Sequence, residues 1–367
     1  MSQAGAKRTL VLRVGSLSRQ ADLIRQAADI LRRGGLVAFP TETVYGLGCR
    51  ADDEQAVRRL FAAKGRPPTN PLLLHLPEAA RAERYVSQIP PEARRLMEVF
   101  WPGPLTLLLP RSDQVLPIVT ANLDKVGLRL PSHPLAQEFL RQCEVPVVAT
   151  SANLSGRPSP TTPEHVLADL EGRIDCLLEW REPPLGLEST VLDLASHPPR
   201  IVRLGFVTAE EIARVLGRAP LLSGDVATPE RFTRFAPEAR VVVVEGDPER
   251  VARRLKGLFE VHSSTEKVAI LCTRETAETH LAGLAPLRVM GSRQDLEGIA
   301  RELFGILREL ETQEQARLIL VEGLEREGLG ATIMERLCRV AHQVINTEDP
   351  GYAGQGGLRP RRRKKGK

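Results

Sequence analysis

Apolar runs and amphipathic segments follow one another irregularly over the first two hundred residues. Residues 36–39 form a short apolar run that predicts a buried strand, and residues 52–63 repeat apolar side chains at helical spacing behind acidic ones. The same criteria predict a helix over 23–31 and strands over 72–76, 105–109, 126–130 and 145–149. Because helices and strands do not alternate regularly, this half predicts a mixed, twisted open α/β sheet.

The pattern becomes regular after about residue 240. Buried strands are predicted at 241–245, 268–271, 287–290 and 318–321, with helical stretches between them and a final helix over 331–344. Alternating strands and helices predict βαβ units and a smaller Rossmann-like parallel sheet. The predicted α/β organisation is a domain over 1–217, a Pro/Gly-rich interdomain linker over 218–240, a second domain over 241–347 and a disordered basic tail over 348–367.

Positive charge is concentrated at the end of the chain. The whole sequence carries +5, and residues 358–367 hold seven Lys or Arg and no acidic residue, which leaves 5 − 7 = −2 for the rest. A near-neutral body argues against a nucleic-acid surface spread over the whole protein. The tail fits either a solubilising segment or a weak, salt-sensitive contact with RNA.

Composition indicates a cytoplasmic protein without a membrane segment. No run is long and apolar enough to cross a bilayer, and residues 1–7 lack the apolar core of a signal peptide. The five cysteines lie far apart without a C-x-x-C pair. This spacing is typical of a reducing compartment and speaks against a zinc site or a disulfide framework.

Two cations follow the helix predicted over 52–63. Lys64 and Arg66 flank Gly65, and Asn70 comes just before the next strand. The end of a helix accounts for a C-cap glycine and for one cation in the last turn, but it does not account for both cations. Such a pair beside the start of a strand favours a bound polyanion such as a phosphate chain.

Small polar residues recur at the ends of other predicted strands. The strand over 145–149 runs into residues 150–153, which read Thr-Ser-Ala-Asn, and then into a glycine turn that ends at Ser159. Residues 188–190, Glu-Ser-Thr, begin another strand, and Arg203 follows a third. Each loop alone is ordinary turn chemistry. Together with the cations, the loops predict a ligand site.

Several familiar motifs fail a second test. Residues 46–51 match G-x-G-x-x-A, but position 66 is Arg where a dinucleotide-binding fold needs an acidic residue. The sequence contains neither G-x-x-x-x-G-K-[ST] nor a hydrolase triad motif. Nicotinamide-dependent, P-loop and triad chemistry are therefore disfavoured.

The motifs as a set resemble the YrdC-like threonylcarbamoyl-AMP synthase family in its long two-domain form. The matching segments are PTETVYGLG (40–48), KGRP (64–67), NPLLLH (70–75), VGLRLP (126–131), TSANLSGRPSP (150–160), LESTVLD (187–193), RLG (203–205) and GLGATI (328–333). The resemblance implies a YrdC-like catalytic domain with L-threonylcarbamoyladenylate synthase activity. Such nucleotidyltransferases form threonylcarbamoyl-AMP and pyrophosphate from ATP, L-threonine and bicarbonate. The product feeds threonylcarbamoyladenosine modification of tRNA position 37, so downstream threonylcarbamoyl-transfer enzymes are implied partners.

The resemblance also implies roles for individual residues. Lys64 and Arg66 are expected to be catalytic by clamping the triphosphate. The residues expected to bind L-threonine are Thr43, His75, Arg129 and Ser189. The residues expected to bind ATP are Lys64, Arg66, Asn70, Ser151, Asn153, Ser159 and Arg203. Alanine at position 64 or 66 is expected to abolish pyrophosphate release and to leave the fold intact.

The linker and a metal ion complete the expectations. Mg²⁺ is expected to be carried by ATP, because the sequence shows no carboxylate cluster to hold it. In similar proteins the linker folds over the active site through a His-Tyr-Ala-Pro sequence. Here residues 234–237 read Arg-Phe-Ala-Pro, so Phe235 keeps the ring and lacks the hydroxyl. We expect closure by packing, and loss of turnover when residues 226–237 are deleted.

Three other functions stay open at this point. A non-catalytic RNA-binding protein would bind tRNA without turnover. A carbamoyl transferase of the hydrogenase-maturation type would need an acylphosphatase-like unit and zinc motifs, which the sequence lacks. An ATP hydrolase would release phosphate without threonine. The sequence does not determine the oligomeric state, the role of the second domain or the route by which the adenylate is passed on.

Overall fold

The computed structural model describes residues 8–180, 185–222, 239–284 and 286–349. The chain divides into two compact units, Met1–Thr233 and Arg234–Lys367. The division falls inside the linker predicted over 218–240. Phe235 and the seven tail cations lie outside the described residues.

The first unit is built on an 11-stranded sheet. Its strands are β1 (Leu10–Arg13), β2 (Val37–Phe39), β3 (Gly46–Arg50), β4 (Leu73–His75), β5 (Leu105–Pro110), β6 (Lys125–Arg129), β7 (Val147–Ser151), β8 (Cys176–Glu179), β9 (Thr190–Asp193), β10 (Arg200–Arg203) and β11 (Leu221–Leu222). Its helices are α1 (Ala21–Arg32), α2 (Glu54–Lys64), α3 (Ala82–Tyr85), α4 (Pro91–Phe100), α5 (Pro134–Cys143), α6 (Pro163–Leu170) and α7 (Ala209–Leu216).

The strand order is β1-β8-β2-β3-β7-β4-β6-β5-β9-β10-β11. β4 and β6 run parallel, whereas β3 and β7, β4 and β7, and β5 and β6 run antiparallel. The sheet is therefore mixed, and the predicted fold class of this domain is confirmed. β11 pairs with β10, so residues 221–222 of the predicted linker continue the sheet.

Helices cover both faces of this sheet. On one face, Val37 and Phe39 of β2 pack in a cluster with Ile24 of α1 and Phe139 of α5. Ala38, between them, packs on the opposite face with Leu60 of α2. Successive strand residues alternate between faces, so a sheet buried on both sides uses every position. Each large apolar side chain removed from water in this way stabilises the fold by about 1.5–3 kcal/mol.

Helix α2 places the two motif cations by means of its caps. The Asp53 side chain accepts hydrogen bonds from the N–H groups of Gln55 and Ala56 and so begins the helix. Gly65 ends it in the left-handed conformation, with φ of 59°. The chain turns sharply there, so Lys64 belongs to the last helical turn and Arg66 to the loop that follows.

The second unit is a five-stranded parallel sheet. Its strands are β12 (Arg240–Glu245), β13 (Val268–Cys272), β14 (Leu287–Val289), β15 (Leu318–Glu322) and β16 (Gln343–Asn346), in the order β14-β13-β15-β12-β16. Its helices are α8 (Pro248–His262), α9 (Arg274–His280), α10 (Leu296–Thr312) and α11 (Gly328–Val340). All neighbouring strands pair in parallel, which confirms the predicted Rossmann-like domain.

The end of this unit corrects one predicted element. The helix predicted over 331–344 ends at Val340, and residues 343–346 form β16 beside β12. The N–H of His342 donates to the carbonyl of Val241, so sheet pairing takes over from the helix there. Across the part of the chain that the structure describes, no helix is long and apolar enough to span a bilayer.

Candidate active site

The ends of β4 and β6 bring His75 and Arg129 side by side. The two strands are parallel, and His75 pairs with Arg129 in the strand register. Both side chains are buried. The Nδ1 atom of His75 lies 3.2 Å from the carbonyl oxygen of Leu73. Burial, and secondarily the charge of Arg129, lowers the pKa of His75 to about 3, so the imidazole is neutral at physiological pH.

Arg129 forms an ion pair with Glu42 from the loop between β2 and β3. The Nη2 atom of Arg129 lies 2.8 Å from Oε1 of Glu42, and the two side chains are 6% and 12% exposed. Neither partner directs a hydrogen bond at the other. Both Glu42 oxygens, and the Nε and Nη2 atoms of Arg129, have no hydrogen-bond partner within the described residues. These four buried polar atoms make the pair the least satisfied polar group of the site.

Ser189 connects β9, β5 and β10. Its hydroxyl lies 2.8 Å from Oγ1 of Thr106 on β5 and accepts a hydrogen bond from Nη2 of Arg203 at 2.9 Å. Nε and Nη2 of Arg203 also donate to the Ser189 carbonyl, at 3.0 and 2.8 Å. Gly205 packs directly against the backbone at the start of β9, since a Cβ at this position would lie 2.2 Å from the backbone nitrogen of Thr190. The R-L-G sequence therefore holds the start of β9 in place.

Lys64 lies under the end of β7. Its side chain is buried, and its ammonium group donates to the carbonyl oxygens of Ser151 and Asn153, the latter at 2.6 Å. Burial, and secondarily the charge of Arg66, lowers the pKa of Lys64 well below its ordinary value. In this structure Lys64 thus fastens the loop after β7 to α2.

Arg66 closes the loop that leads into β4. Its Nε and Nη2 atoms donate to the carbonyls of Asn70 and Pro71 at 3.3 and 3.0 Å. Burial lowers the pKa of Arg66 to about 10, so the guanidinium stays charged at neutral pH. Asn70 itself is buried.

The loop after β7 connects to the segment before β9. The Nδ2 atom of Asn153 donates to the carbonyls of Leu154 and Arg157, both at 2.8 Å. Its Oδ1 atom is buried without a hydrogen-bond partner among the described residues. The Ser159 hydroxyl donates to Oε1 of Glu188 at 2.7 Å, directly before Ser189.

The structure joins the residues predicted for threonine and for ATP in several small groups. His75 and Arg129 are neighbours, and Thr43 is fixed by a 2.8 Å contact between its Oγ1 and that of Thr41. The Thr43 carbonyl accepts from the N–H of Gly186, a few residues before Ser189. The ATP residues form separate pairs and triplets: Lys64 with Ser151 and Asn153, Arg66 with Asn70, Arg203 with Ser189, and Ser159 with Glu188.

Two acidic residues of the site were given no role by the sequence-based prediction, although Glu188 lay in one of its predicted ligand loops. Glu42 pairs with Arg129, and Glu188 accepts from Ser159. The signal for Glu42 was its place between two threonines of the P-T-E-T motif. Within the described residues, no group of three or more His, Cys, Asp or Glu could hold a metal ion, and the five cysteines are free.

Comparison with known proteins identifies the family. A family model described as "Telomere recombination" matches residues 29–205, and one described as "Threonylcarbamoyl-AMP synthase, C-terminal domain" matches residues 207–342. The threonylcarbamoyl-AMP synthase of Pyrococcus abyssi is 41% identical over 323 residues, which cover 86% of this chain and 92% of the relative. That of Bacillus subtilis is 38% identical over 343 residues, with 91% and 97% coverage.

The solved structures agree with the sequence relatives. The crystal structure of P. abyssi Sua5 complexed with L-threonine matches with a TM-score of 0.83 and 39% identity, covering 92% of this chain and 99% of that one. Both units of the chain are thus matched, in the same order. The chain therefore belongs to the threonylcarbamoyl-AMP synthase family, in the form that carries a C-terminal domain after the YrdC-like one.

Proposed function

We propose that the protein is an L-threonylcarbamoyladenylate synthase that forms threonylcarbamoyl-AMP and pyrophosphate from ATP, L-threonine and bicarbonate. The observation that carries this proposal is the match of both units to synthases of that name over most of their length. Adenylate formation with loss of pyrophosphate makes it a nucleotidyltransferase. Its product would serve threonylcarbamoyladenosine formation at tRNA position 37, with downstream transfer enzymes as partners.

Threonine is assigned to the group around Arg129. A buried guanidinium is a strong partner for a carboxylate, because it offers two parallel N–H donors. The neutral imidazole of His75 and the hydroxyls of Thr43 and Ser189 are assigned to the remaining polar groups of the amino acid. The crystal structure of P. abyssi Sua5 complexed with L-threonine, a relative with 39% identity, supports this substrate.

ATP is assigned to the polar groups that surround the loop after β7. The cations assigned to it are Lys64, Arg66 and Arg203, and the polar residues assigned to it are Asn70, Ser151, Asn153 and Ser159. In such transfers the protein mainly positions the phosphates and stabilises the developing charge. Mg²⁺ would travel with the triphosphate and neutralise the leaving pyrophosphate. Because both motif cations donate to backbone carbonyls here, nucleotide binding would replace some of those hydrogen bonds.

The cell location and the tail are further parts of the proposal. Free, dispersed cysteines fit a reducing compartment, which supports the cytoplasm. Weak contact with RNA is assigned to the basic tail alone, since the remaining sequence carries no excess of positive charge.

The deciding experiment incubates the protein with ATP, Mg²⁺, L-threonine and bicarbonate. We expect pyrophosphate release that requires both threonine and bicarbonate, and a product with the mass of threonylcarbamoyl-AMP. Release of phosphate without threonine would indicate a hydrolase instead. Tight tRNA binding without any release would indicate an RNA-binding protein with this fold.

Single substitutions then test the phosphate assignment. Arg66→Ala should abolish pyrophosphate release and leave a folded protein, because the Arg66 side chain bonds, among the described residues, to two carbonyls of its own loop that are only part-buried. Lys64→Ala should also lower stability, by about 1–3 kcal/mol, because it removes the ammonium donor from the buried carbonyl of Asn153. Normal activity of both variants would contradict the assignment.

A further inference from the structure

The buried ion pair of Glu42 and Arg129 has unusually few hydrogen bonds in the described part of the chain. Buried charges in proteins are normally both paired and hydrogen-bonded, because removing them from water is costly. Here the charges lie 2.8 Å apart, yet both carboxylate oxygens and two guanidinium nitrogens lack hydrogen-bond partners among the described residues. Unsatisfied buried groups of this kind are rare in proteins and call for an explanation, such as a catalytic role or a bound water or ion.

The backbone holds Glu42 firmly at this place. Its carbonyl accepts from the N–H of Leu185 at 2.6 Å, and the next carbonyl, of Thr43, accepts from Gly186 at 3.0 Å. Thr41 caps the same loop by donating its hydroxyl to the carbonyl of Val44 at 2.6 Å. The carboxylate therefore stays near Arg129 because its loop is fixed on both sides.

An α-amino acid carries one negative and one positive group, which can pair with the two Arg129 nitrogens and the two Glu42 oxygens that lack hydrogen bonds within the described residues. Its carboxylate can accept from Nε and Nη2 of Arg129, and its ammonium can donate to the two oxygens of Glu42. A ligand without the ammonium would leave the Glu42 carboxylate buried without a counter-group when it takes Arg129. The pair thus favours a zwitterion over a simple carboxylic acid.

Resting on the function proposed above, we propose that Glu42 binds the ammonium group of threonine and accepts its proton before the amine is carboxylated. Only the neutral amine has a lone pair for attack. The Glu42 carboxylate takes one N–H proton and leaves R–NH₂. The nitrogen then forms a bond to the carbon of bicarbonate, whose C–OH bond breaks. The departing hydroxide takes a second N–H proton and leaves as water, which gives R–NH–COO⁻, and protonated Glu42 returns its proton to solvent.

Rates measured in the forward and reverse directions distinguish a Glu42 that accepts the proton of threonine from a Glu42 that only positions Arg129. Forward synthesis starts from the ammonium form of threonine, whereas the reverse reaction starts from threonylcarbamoyl-AMP and pyrophosphate, in which the nitrogen is already a neutral carbamate. Glu42→Gln keeps the shape of the side chain and removes its charge and basicity. We expect this variant to lose about 100-fold or more in forward rate, the usual range for a missing general base. ATP formation in the reverse direction should stay close to that of the unsubstituted protein.

A second measurement reports on recognition alone. L-threonine and 3-hydroxybutyrate, which lacks the amino group, are titrated into each protein by calorimetry. The unsubstituted protein should prefer threonine, and Glu42→Gln should lose most of that preference. Glu83→Gln, which removes a carboxylate with a 64% exposed side chain from a surface pair with Arg94, is the matched control and should change neither rate nor preference.

The outcomes are distinct from failure of the proposed function. If the unsubstituted protein works in neither direction, the synthase assignment itself is wrong. If it works and Glu42→Gln loses both directions equally, Glu42 only positions Arg129, and the proposal is overturned. It is overturned as well if Glu42→Gln retains the forward rate and the preference for threonine.

Discussion

Gly205 lies directly behind the start of β9, where its lack of a side chain sets the place of Ser189. The nearest backbone atoms belong to Glu188, Ser189 and Thr190, all within 2.5 Å of where a Cβ would lie. Backbone cannot move aside as a flexible side chain can. The glycine of the R-L-G motif therefore has a packing role, and the arginine before it has the polar one.

Gly205→Ala should accordingly separate β10 from the start of β9. We expect destabilisation by about 3 kcal/mol, the upper part of the range for overpacked sites, together with weaker threonine binding. Urea unfolding followed by circular dichroism measures the first effect, and calorimetry the second. Gly257→Ala is the control, since no atom lies within 4 Å of the new methyl group, and it should stabilise α8 by up to about 1 kcal/mol.

His75 predicts a pH dependence of stability with a definite sign. Its pKa is about 3 in the folded protein and about 6.5 when unfolded, so between these values only the unfolded chain binds the proton. Stability should therefore fall as pH falls below 6.5. Between pH 7 and pH 5 the native protein should lose about 2 kcal/mol more than His75→Asn does. The free energy of unfolding is measured in urea for both proteins at pH 7 and at pH 5. If both proteins lose the same amount between these pH values, His75 takes up its proton in the folded state and the prediction is wrong.

Residue identities were predictable from the sequence, but their hydrogen-bond partners were not. The motifs predict Lys64 and Arg66 as phosphate-binding cations, because the sequence itself shows their charge and spacing. That Lys64 is buried against the carbonyls of Ser151 and Asn153 depends on how α2 packs on β7. The pair of Glu42 and Arg129 likewise joins a loop to a strand 87 positions later, a contact that no local pattern encodes.

At the scale of elements, helix α2 is the device that presents the motif cations. Its N-cap, its apolar face and its terminal glycine all agree with the sequence pattern, which is why its position was predicted closely. The last helix was predicted less well. Residues 331–344 carry no Gly or Pro to mark the change at Val340, and β16 forms because β12 offers a free edge. Local signals can place an element, but sheet pairing decides where a weakly marked one ends.

Gly65 offers a test at this scale. Its φ of 59° is strained for residues with a side chain, while open space surrounds the Cβ position. Gly65→Ala should therefore cost about 1 kcal/mol through backbone strain alone, and it should raise the KM for ATP by shifting Arg66. Gly65→Asn should cost less, because Asn tolerates the left-handed region. If both variants match the native protein in urea unfolding and in KM, the cap does not position the cations.

At the scale of the whole molecule, charge is divided between body and tail. Removing residues 358–367 changes the formal charge from +5 to −2. We expect turnover to be unchanged, because the tail carries none of the residues assigned to the site. Binding to tRNA at low salt should weaken strongly and lose its steep salt dependence. A Gly/Ser tail of equal length should behave like the truncation, and undiminished RNA affinity in either protein would place the contact on the body.

The order of strands in the first unit has a consequence for synthesis on the ribosome. β1 pairs only with β8 in the described sheet, and the partners Arg13 and Glu179 are 166 residues apart. At ordinary translation rates of about 5–20 residues per second, β1 waits roughly ten to thirty seconds for its partner. During that interval the open edge of β2, which β8 will cover, can pair with other nascent chains. Slower translation between codons 50 and 176 should therefore increase aggregation and the dependence of the yield on chaperones.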